Sequence, residues 1–283
     1  MEGRFRTDLA LEQRELSPGG GHELEGVEAV EETKGGFRVT TIDILDERGS
    51  LSLCKPIGRY VTVELDSLLR RRERSFAEAA ELLSGELRAL LPPAGEGVTL
   101  VAGLGNAAMT PDAVGPLAAD TVLATRHLKE QLPQDFAAFS RVCTVRPGVL
   151  GTTGLESAEL LKSISGFLSP ERIIAVDALA SASLSRLCRT VQLSNTGIVP
   201  GSGVGNDRAE LCERSLGAPV FAIGVPTVVD ASAFSDSEDA RGMFVTPRDI
   251  DASVRDISKL IGYAINLALH DGLTVEDIDL LVS

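Results

Sequence analysis

The sequence predicts an α/β protein whose doubly wound, mostly parallel sheet carries helices on both faces. Over most of the chain, short apolar runs alternate with segments of helical periodicity. The runs at 97–104, 172–179 and 219–225 lack polar alternation, which is typical of parallel strands buried on both faces. Upstream, 36–45 and 58–65 alternate polar and apolar residues and predict a small N-terminal β hairpin or subdomain.

The remaining elements follow from periodicity and from start and stop signals. Two further strands are predicted at 139–145 and 190–194. Helices are predicted at 75–91, from Thr110 to about 130, at 156–168, around 181–188, at 247–269 and at 272–283. Thr246 fits the N-cap of the long helix near the C-terminus, and Pro247 fits its first position.

The first 35 residues are polar and charged, and the sequence SPGGG interrupts them at 17–21. Because such a composition buries little apolar surface, we expect a poorly ordered or peripheral arm there. The run RRRER at 70–74 is interpreted as a solvated helix face. No stretch reaches the ~18 apolar residues of a membrane span, and the N-terminus has no apolar core, so neither a membrane segment nor a signal peptide is expected.

Charge and cysteine usage limit the partners of the chain. Lys and Arg number 27 and Asp and Glu number 41, so the formal net charge is −14. An acidic surface repels the phosphate backbone, and direct binding of nucleic acid is therefore not expected. The four cysteines lie far apart without metal-ligand spacing, which favours a reducing, cytoplasmic compartment and predicts no metal site.

A glycine-rich loop follows the strand at 97–104. The string from Gly103 to Ala108 meets the loosest form of the dinucleotide fingerprint, and no lysine follows it as in a Walker loop. A dinucleotide site needs its helix to begin within the glycines, whereas this helix is predicted to begin only at Thr110. We therefore interpret the loop as the segment that positions Asp112. This residue is either a helix-stabilising acid or a catalytic carboxylate.

A second acid, Asp177, lies near the end of a strand that should be fully buried, where a charge costs free energy without a partner. The carboxyl ends of parallel strands share one edge, so Asp112 and Asp177 are expected in the same crevice. If they face each other, burial and repulsion separate their pKa values, so that one takes a proton while the other donates one. The alternative is that Asp177 caps the turn that follows its strand.

Other crevice candidates are weaker. They are polar or glycine residues of loops and strand ends, namely Asn106, Gly203, Asn206 and Asp230. The sequence has neither a G-x-S-x-G elbow nor an H-E-x-x-H motif, and none of its three histidines lies beside a nucleophile. A Ser–His or Cys–His hydrolase is therefore not predicted.

Six strings occur in one order over residues 99–232: GLGNAAMTPDAVGP, ATRHL, RPGVLGTTGLES, IIAVDALAS, GIVPGSGVGN and AIGVPTVVDA. Together with GRYVTVE at 58–64 and FVTPRDID at 244–251, they resemble the germination protease family of endospore-forming bacteria. The resemblance implies a fold similar to hydrogenase-maturation peptidases and an atypical aspartic endopeptidase without a cofactor. It also implies a homotetramer, made as a zymogen in the spore core, that cleaves small acid-soluble spore proteins during germination.

The resemblance places the two catalytic aspartates at Asp112 and Asp177. It also makes RTDLALE, residues 6–12, a self-cleavage site with the cut between Asp8 and Leu9. The predicted organisation is then a propeptide at 1–8, a polar arm at 9–35 and a single catalytic domain at 36–283. The propeptide is shorter than the family pattern, and the segment at 232–243 stands where the family has a long insertion.

Two alternative functions remain at this point. One is a hydrogenase-maturation-like peptidase of the same fold, which needs a metal on a partner protein as its recognition signal. The other is a non-catalytic, nucleotide-binding α/β module that uses the glycine loops.

Overall fold

A computed structural model describes residues 7–17, 24–65, 75–93, 95–205, 208–234, 240 and 242–282. The strands of these residues are β1 (Val27–Lys34), β2 (Phe37–Ile44), β3 (Gly58–Glu64), β4 (Val98–Leu104), β5 (Arg141–Gly148), β6 (Arg172–Ser181), β7 (Thr190–Ser194), β8 (Val220–Asp230) and β9 (Phe244–Val245). The helices are α1 (Ala10–Leu16), α2 (Glu47–Leu53), α3 (Ser75–Leu90), α4 (Val114–Asp120), α5 (Arg126–Gln131), α6 (Leu150–Thr153), α7 (Ser157–Leu168), α8 (Glu213–Leu216), α9 (Ile250–Leu269) and α10 (Val275–Val282).

The described strands form one mixed sheet in the order β1-β2-β3-β7-β8-β6-β4-β5, and β9 pairs with β8. Parallel pairing joins β8, β6, β4 and β5, whereas the other neighbours are antiparallel. The predicted α/β class is confirmed, but among the described strands three pairings are parallel and five are antiparallel, so the sheet is mixed rather than mostly parallel. The predicted β2–β3 pair forms, is connected through α2, and continues the main sheet through β7.

Helices cover both faces of the sheet, as predicted. Adjacent strand residues such as Leu100 and Val101 are both buried, because each points to a different covered face. One face packs against α3, α4, α9 and α10, and the other packs against α7 and α8. None of the helices in the described ranges is long and apolar enough to cross a membrane.

The helix predicted from Thr110 to about 130 is wrong in its extent. The chain forms a 3-10 turn over Thr110–Asp112, then α4, and then α5 after a break. Asn266, fully buried in α9, causes the break because its amide bonds the carbonyl oxygen of Thr121 at 2.8 Å and the N–H of Leu123 at 2.9 Å. Similarly, the N-cap of α9 is Asp249 rather than Thr246.

The polar arm predicted over 9–35 is also corrected. Residues Ala10–Leu16 form α1, whose first turn packs inward, and Leu9 and Ala10 are completely buried. The helix lies against the apolar face of β2 and β3, near Ile42 and Tyr60. β1 forms the edge of the sheet and shows mostly exposed residues, so this part is peripheral but ordered. SPGGG beyond Ser17 and the RRRER run lie outside the described residues.

Candidate active site

A cavity of about 490 Å³ lies over the carboxyl ends of β4, β6 and β8. Its lining includes four of the residues that the sequence placed at this edge, namely Asn106, Asp112, Asp177 and Gly203, and also Asp8 and Arg208. The cleft therefore lies where ligand sites of parallel sheets are expected, at the carboxyl ends of the strands. Asn206, another predicted lining residue, lies outside the described residues.

The glycine loop holds a carboxylate. Gly105 has a φ of +108°, and a Cβ at this position would collide with the backbone oxygen of Asp112, so the loop turns back onto the 3-10 turn. The N–H of Asn106 then donates to Oδ2 of Asp112 at 2.8 Å. On the other side, the hydroxyl of Thr227 donates to the carbonyl oxygen of Pro111 at 2.7 Å. The loop amide that a phosphate would use in a nucleotide site is occupied by Asp112.

Close packing of α4 brings Asp112 towards the end of β6. Gly115, in the first turn of α4, lies against the carbonyl oxygens of Leu104 and Val176, where a Cβ would not fit. The start of the helix therefore rests directly on β4 and β6. Asp177 is the next residue of β6 and is only 3% exposed.

The two carboxyl groups interact electrostatically. Burial raises the pKa of Asp177 well above its usual value, and the charge of Asp112 raises it further. Burial also raises the pKa of Asp112, while the Asn106 amide and the positive charge of Arg208 oppose that shift. The two groups therefore titrate as a pair, and Asp177 is the member that retains a proton to higher pH.

Asp177 does not cap the turn after its strand. Its Oδ1 accepts from the N–H of Ala178, its own neighbour, at 2.9 Å. The 3-10 turn that follows β6 is capped by Ser183, whose hydroxyl oxygen accepts from the N–H of Ser185 at 3.3 Å. The capping alternative is therefore wrong, and the carboxyl group remains available to the cavity.

The N-terminal segment enters this cavity. The carboxylate of Asp8 accepts from the N–H of Ala180 at 2.8 Å and from the hydroxyl of Ser202 at 2.6 Å. The N–H of Asp8 donates to the carbonyl oxygen of Ala180 at 3.0 Å. A Cβ at Gly203 would collide with Asp8, so this glycine makes room for the carboxylate. The chain therefore lies along the end of β6.

Glu12 anchors the same segment four residues later and is 2% exposed. Its carboxylate accepts from the hydroxyl of Ser181 at 2.7 Å and from the N–H of Ala182 at 2.6 Å. It also accepts from the guanidinium of Arg186 at 3.1 Å, and that guanidinium pairs with Glu15 as well. These bonds fix Leu9–Glu12 over the edge of the sheet.

Sequence reasoning missed Gln192, Ser202, Arg186 and Arg208 as site residues. Gln192 is 8% exposed and lies in the middle of the buried strand β7. A polar amide in such a run was the available signal, since a buried amide needs hydrogen-bond partners. Its partners, the backbone of Asp8 and Ala10, are more than 180 residues away in the chain.

Asp230 lies outside the lining of the cavity. It ends β8, where its carboxylate caps a short 3-10 turn by accepting from the N–H of Ser232 at 2.9 Å. Among the residues that the structure describes, no group of three or more His, Cys, Asp or Glu side chains is placed to hold a metal ion.

Fold and cleft together define an α/β protein with a buried carboxylate pair in a cleft that admits an extended chain. The profile of the germination protease family matches residues 6–241. A germination protease of Caldanaerobacter subterraneus subsp. tengcongensis is 40% identical, with 98% of each chain covered. That of Clostridium tetani is 38% identical over 97% of this chain and 98% of its own. The chain belongs to the germination protease family and is a spore-germination endopeptidase.

A Bacillus cereus germination protease is 41% identical over 83% of this chain and 66% of its own length. Among solved structures, the NiFe hydrogenase maturation protease HycI of Thermococcus kodakarensis KOD1 has a TM-score of 0.38 at 18% identity. It covers 64% of this chain and 98% of its own, and a likeness at that level carries no argument. The family match is contrary to the non-catalytic, nucleotide-binding alternative.

Proposed function

We propose that Asp112 and Asp177 activate a water molecule against a peptide carbonyl, which makes this peptidase an atypical aspartic protease. The observation that supports the proposal is the interaction between two partly desolvated carboxyl groups in one cleft, each with a raised pKa. In such a pair one carboxyl group loses its proton before the other, so a general base and a general acid exist side by side between the two steps.

The roles follow from the surroundings of each group. The Asn106 amide and Arg208 favour the charged form of Asp112, so it takes a proton from the attacking water. The hydroxide oxygen bonds to the carbonyl carbon. Asp177 donates its proton to the departing amide nitrogen as the C–N bond breaks. The pair then carries its proton on Asp112, and exchange with solvent restores the starting state.

The chain is further proposed to be a zymogen that cuts itself between Asp8 and Leu9. Support comes from the position of Asp8, which lines the same cavity as the aspartate pair. The propeptide is residues 1–8, and it obstructs the cleft until cleavage releases it.

Substrate, assembly and location rest on the family resemblance. The proposed substrates are small acid-soluble spore proteins, the proposed assembly is a homotetramer and the proposed location is the spore core in the cytoplasmic compartment. The negative net charge is compatible with protein substrates rather than with direct contact to DNA.

Mass spectrometry of the intact chain tests the proposal. Wild type and Asp177→Asn are incubated at mildly acid and neutral pH, with and without a chelator. Wild type is expected to lose eight residues and begin at Leu9, and the chelator is expected to have no effect. Asp177→Asn is expected to keep Met1. A wild-type chain that still begins at Met1, or a processed Asp177→Asn chain, contradicts the proposal.

A further inference from the structure

We propose that Gln192 is a catalytic residue, whose side-chain N–H stabilises the negative charge that develops on the carbonyl oxygen of the bond being cut. The inference rests on the proposed function, because it takes Asp8–Leu9 as that bond. It adds a third group to the aspartate pair.

The contacts of Gln192 fix the orientation of its amide. Nε2 donates to the carbonyl oxygen of Asp8 at 3.2 Å, and Oε1 accepts from the N–H of Ala10 at 2.7 Å. A carbonyl oxygen only accepts and a backbone N–H only donates, so these two partners determine which amide atom is nitrogen. The donor therefore points at the carbonyl of the bond between Asp8 and Leu9.

The sheet register places this donor opposite the catalytic pair. Gln192 of β7 is paired with Gly224 of β8, and Gly224 is paired with Asp177 of β6. Residues paired in this way share one face of a sheet, so the three form a row. Neighbouring strands lie about 4.8 Å apart, which puts the backbones of Gln192 and Asp177 roughly 10 Å from each other.

The Leu179 side chain and the N-terminal segment lie over that row. Gly224 contributes no side chain, and the side chain of Leu179 packs over it as an apolar wall. The N-terminal segment crosses here, with the Asp8 carbonyl held from the Gln192 side. Asp177 lies on the other side of Gly224 in the sheet, and the charge of Asp8 acts on Asp177.

A buried donor aimed at this oxygen has a chemical consequence. When hydroxide adds to the carbonyl carbon, the oxygen becomes an anion, and a fixed N–H in a water-poor site stabilises an anion more than a neutral carbonyl. Gln192 is 8% exposed and already oriented by Ala10, so little reorganisation is needed at that moment. The donor therefore lowers the barrier of the chemical step rather than only holding the chain.

Steady-state kinetics separate these two roles. Each protein is supplied beginning at Leu9, so that failed maturation does not imitate failed catalysis, and cleaves a peptide that carries RTDLALE. Gln192→Met, which keeps the shape but removes the donor, is compared with wild type. We expect kcat to fall by about 10²–10³-fold with KM changed less than threefold. A rise in KM at unchanged kcat overturns the inference and leaves Gln192 as a binding contact.

A second variant distinguishes the loss of the hydrogen-bond donor from a folding defect. Gln192→Glu keeps a polar, equally sized side chain, which lacks a donor when ionised and regains an O–H donor when protonated. Its activity should recover relative to wild type as the pH falls, which a purely structural defect would not produce. A constant ratio of variant to wild-type kcat across pH contradicts the inference.

Gln13→Met is the matched control. The amide of Gln13 also donates at 3.2 Å to a carbonyl of the segment, that of Thr7, which belongs to a bond that is not cut. Its kcat should remain within twofold of wild type. If wild type cuts the peptide and Gln192→Met cuts equally fast, only the inference fails. If wild type does not cut, the proposed function fails and the inference fails with it.

Discussion

Two pairs of carboxylates lie at this edge of the sheet and differ in what surrounds their oxygens. Asp8 and Glu12 each accept from a backbone N–H of β6 or of the turn after it and from a serine hydroxyl, and Glu12 also pairs with Arg186. In the described part of the chain, Asp112 and Asp177 each accept one backbone N–H. Their pKa values are raised by burial, and that of Asp177 also by the charge of Asp112.

The difference shows that carboxyl groups at one edge of the sheet serve two purposes, which are holding a chain in place and exchanging protons. Donors that satisfy a carboxylate stabilise its charge and hold a chain in place, as they do for Glu12. A buried carboxyl group with few donors and a like charge nearby exchanges protons instead, as Asp177 does. The number of hydrogen bonds that a carboxylate accepts, rather than the residue type, thus distinguishes the carboxylates that hold the segment from those that exchange protons.

The largest expected effect on this comparison comes from Glu12→Ala. Loss of its carboxylate leaves Ser181, the Ala182 N–H and part of Arg186 without their buried partner. We expect α1 to open more easily by about 2–3 kcal/mol, because bonds to a charged group contribute about that much. Hydrogen exchange of the α1 amides measures this opening and should become about 30–150-fold faster.

Glu15→Ala is the control for that change. Glu15 pairs with the same Arg186 but is 49% exposed at its side chain. Its loss should cost less than about 1 kcal/mol. Equal exchange rates in the Glu12 and Glu15 variants would show that the buried carboxylate does not anchor the segment.

A second, smaller effect concerns the pH dependence of stability. The folded-state pKa of Asp177 is raised, so the contribution of this group to stability is greatest at low pH and is lost as pH rises from its unfolded-state pKa towards its folded-state pKa. Asp177→Asn removes this loss. We expect equal Tm values near pH 4 and a higher Tm for the variant than for wild type at pH 8.

Thermal unfolding of both proteins from pH 4 to pH 8 measures the difference. A variant that is less stable than wild type at pH 8 would mean that the Asp177 carboxylate is stabilised by its surroundings, contrary to the comparison.

The smallest effect is expected for Asp230, the acid that caps a turn outside the cavity. Asp230→Ala removes the bond to the Ser232 N–H and should cost about 0.5–1 kcal/mol of stability. Peptide cleavage should remain within twofold of wild type. A tenfold loss of kcat in a folded variant would instead place Asp230 in the reaction.

The sequence predicted what local patterns determine. Uninterrupted apolar runs predicted the central strands. Because the carboxyl ends of parallel strands share one edge, the sequence alone also predicted that Asp112 and Asp177 lie in one cleft. The family strings also pointed to the Asp8–Leu9 bond. Asp8 does line the cavity, although the cut itself stays a prediction.

The missed features depend on contacts between distant parts of the chain. Composition predicted that residues 9–35 form a polar arm. Nothing near Glu12 in the sequence shows that Ser181 and Arg186, 169 and 174 residues away, bind its carboxylate. The break after α4 likewise depends on Asn266, which lies in α9. Tertiary contacts of this kind override local propensity.

Cleavage of a peptide that carries RTDLALE by wild type, Asp112→Asn and Asp177→Asn tests the central claim most directly. Each chain is supplied beginning at Leu9, so that failed maturation does not imitate failed catalysis, and circular dichroism checks the fold. We predict that both variants fold and lose at least about 100-fold in kcat, because each lacks one member of the acid–base pair. Wild-type cutting by either folded variant would contradict the account and remove that aspartate from the chemistry.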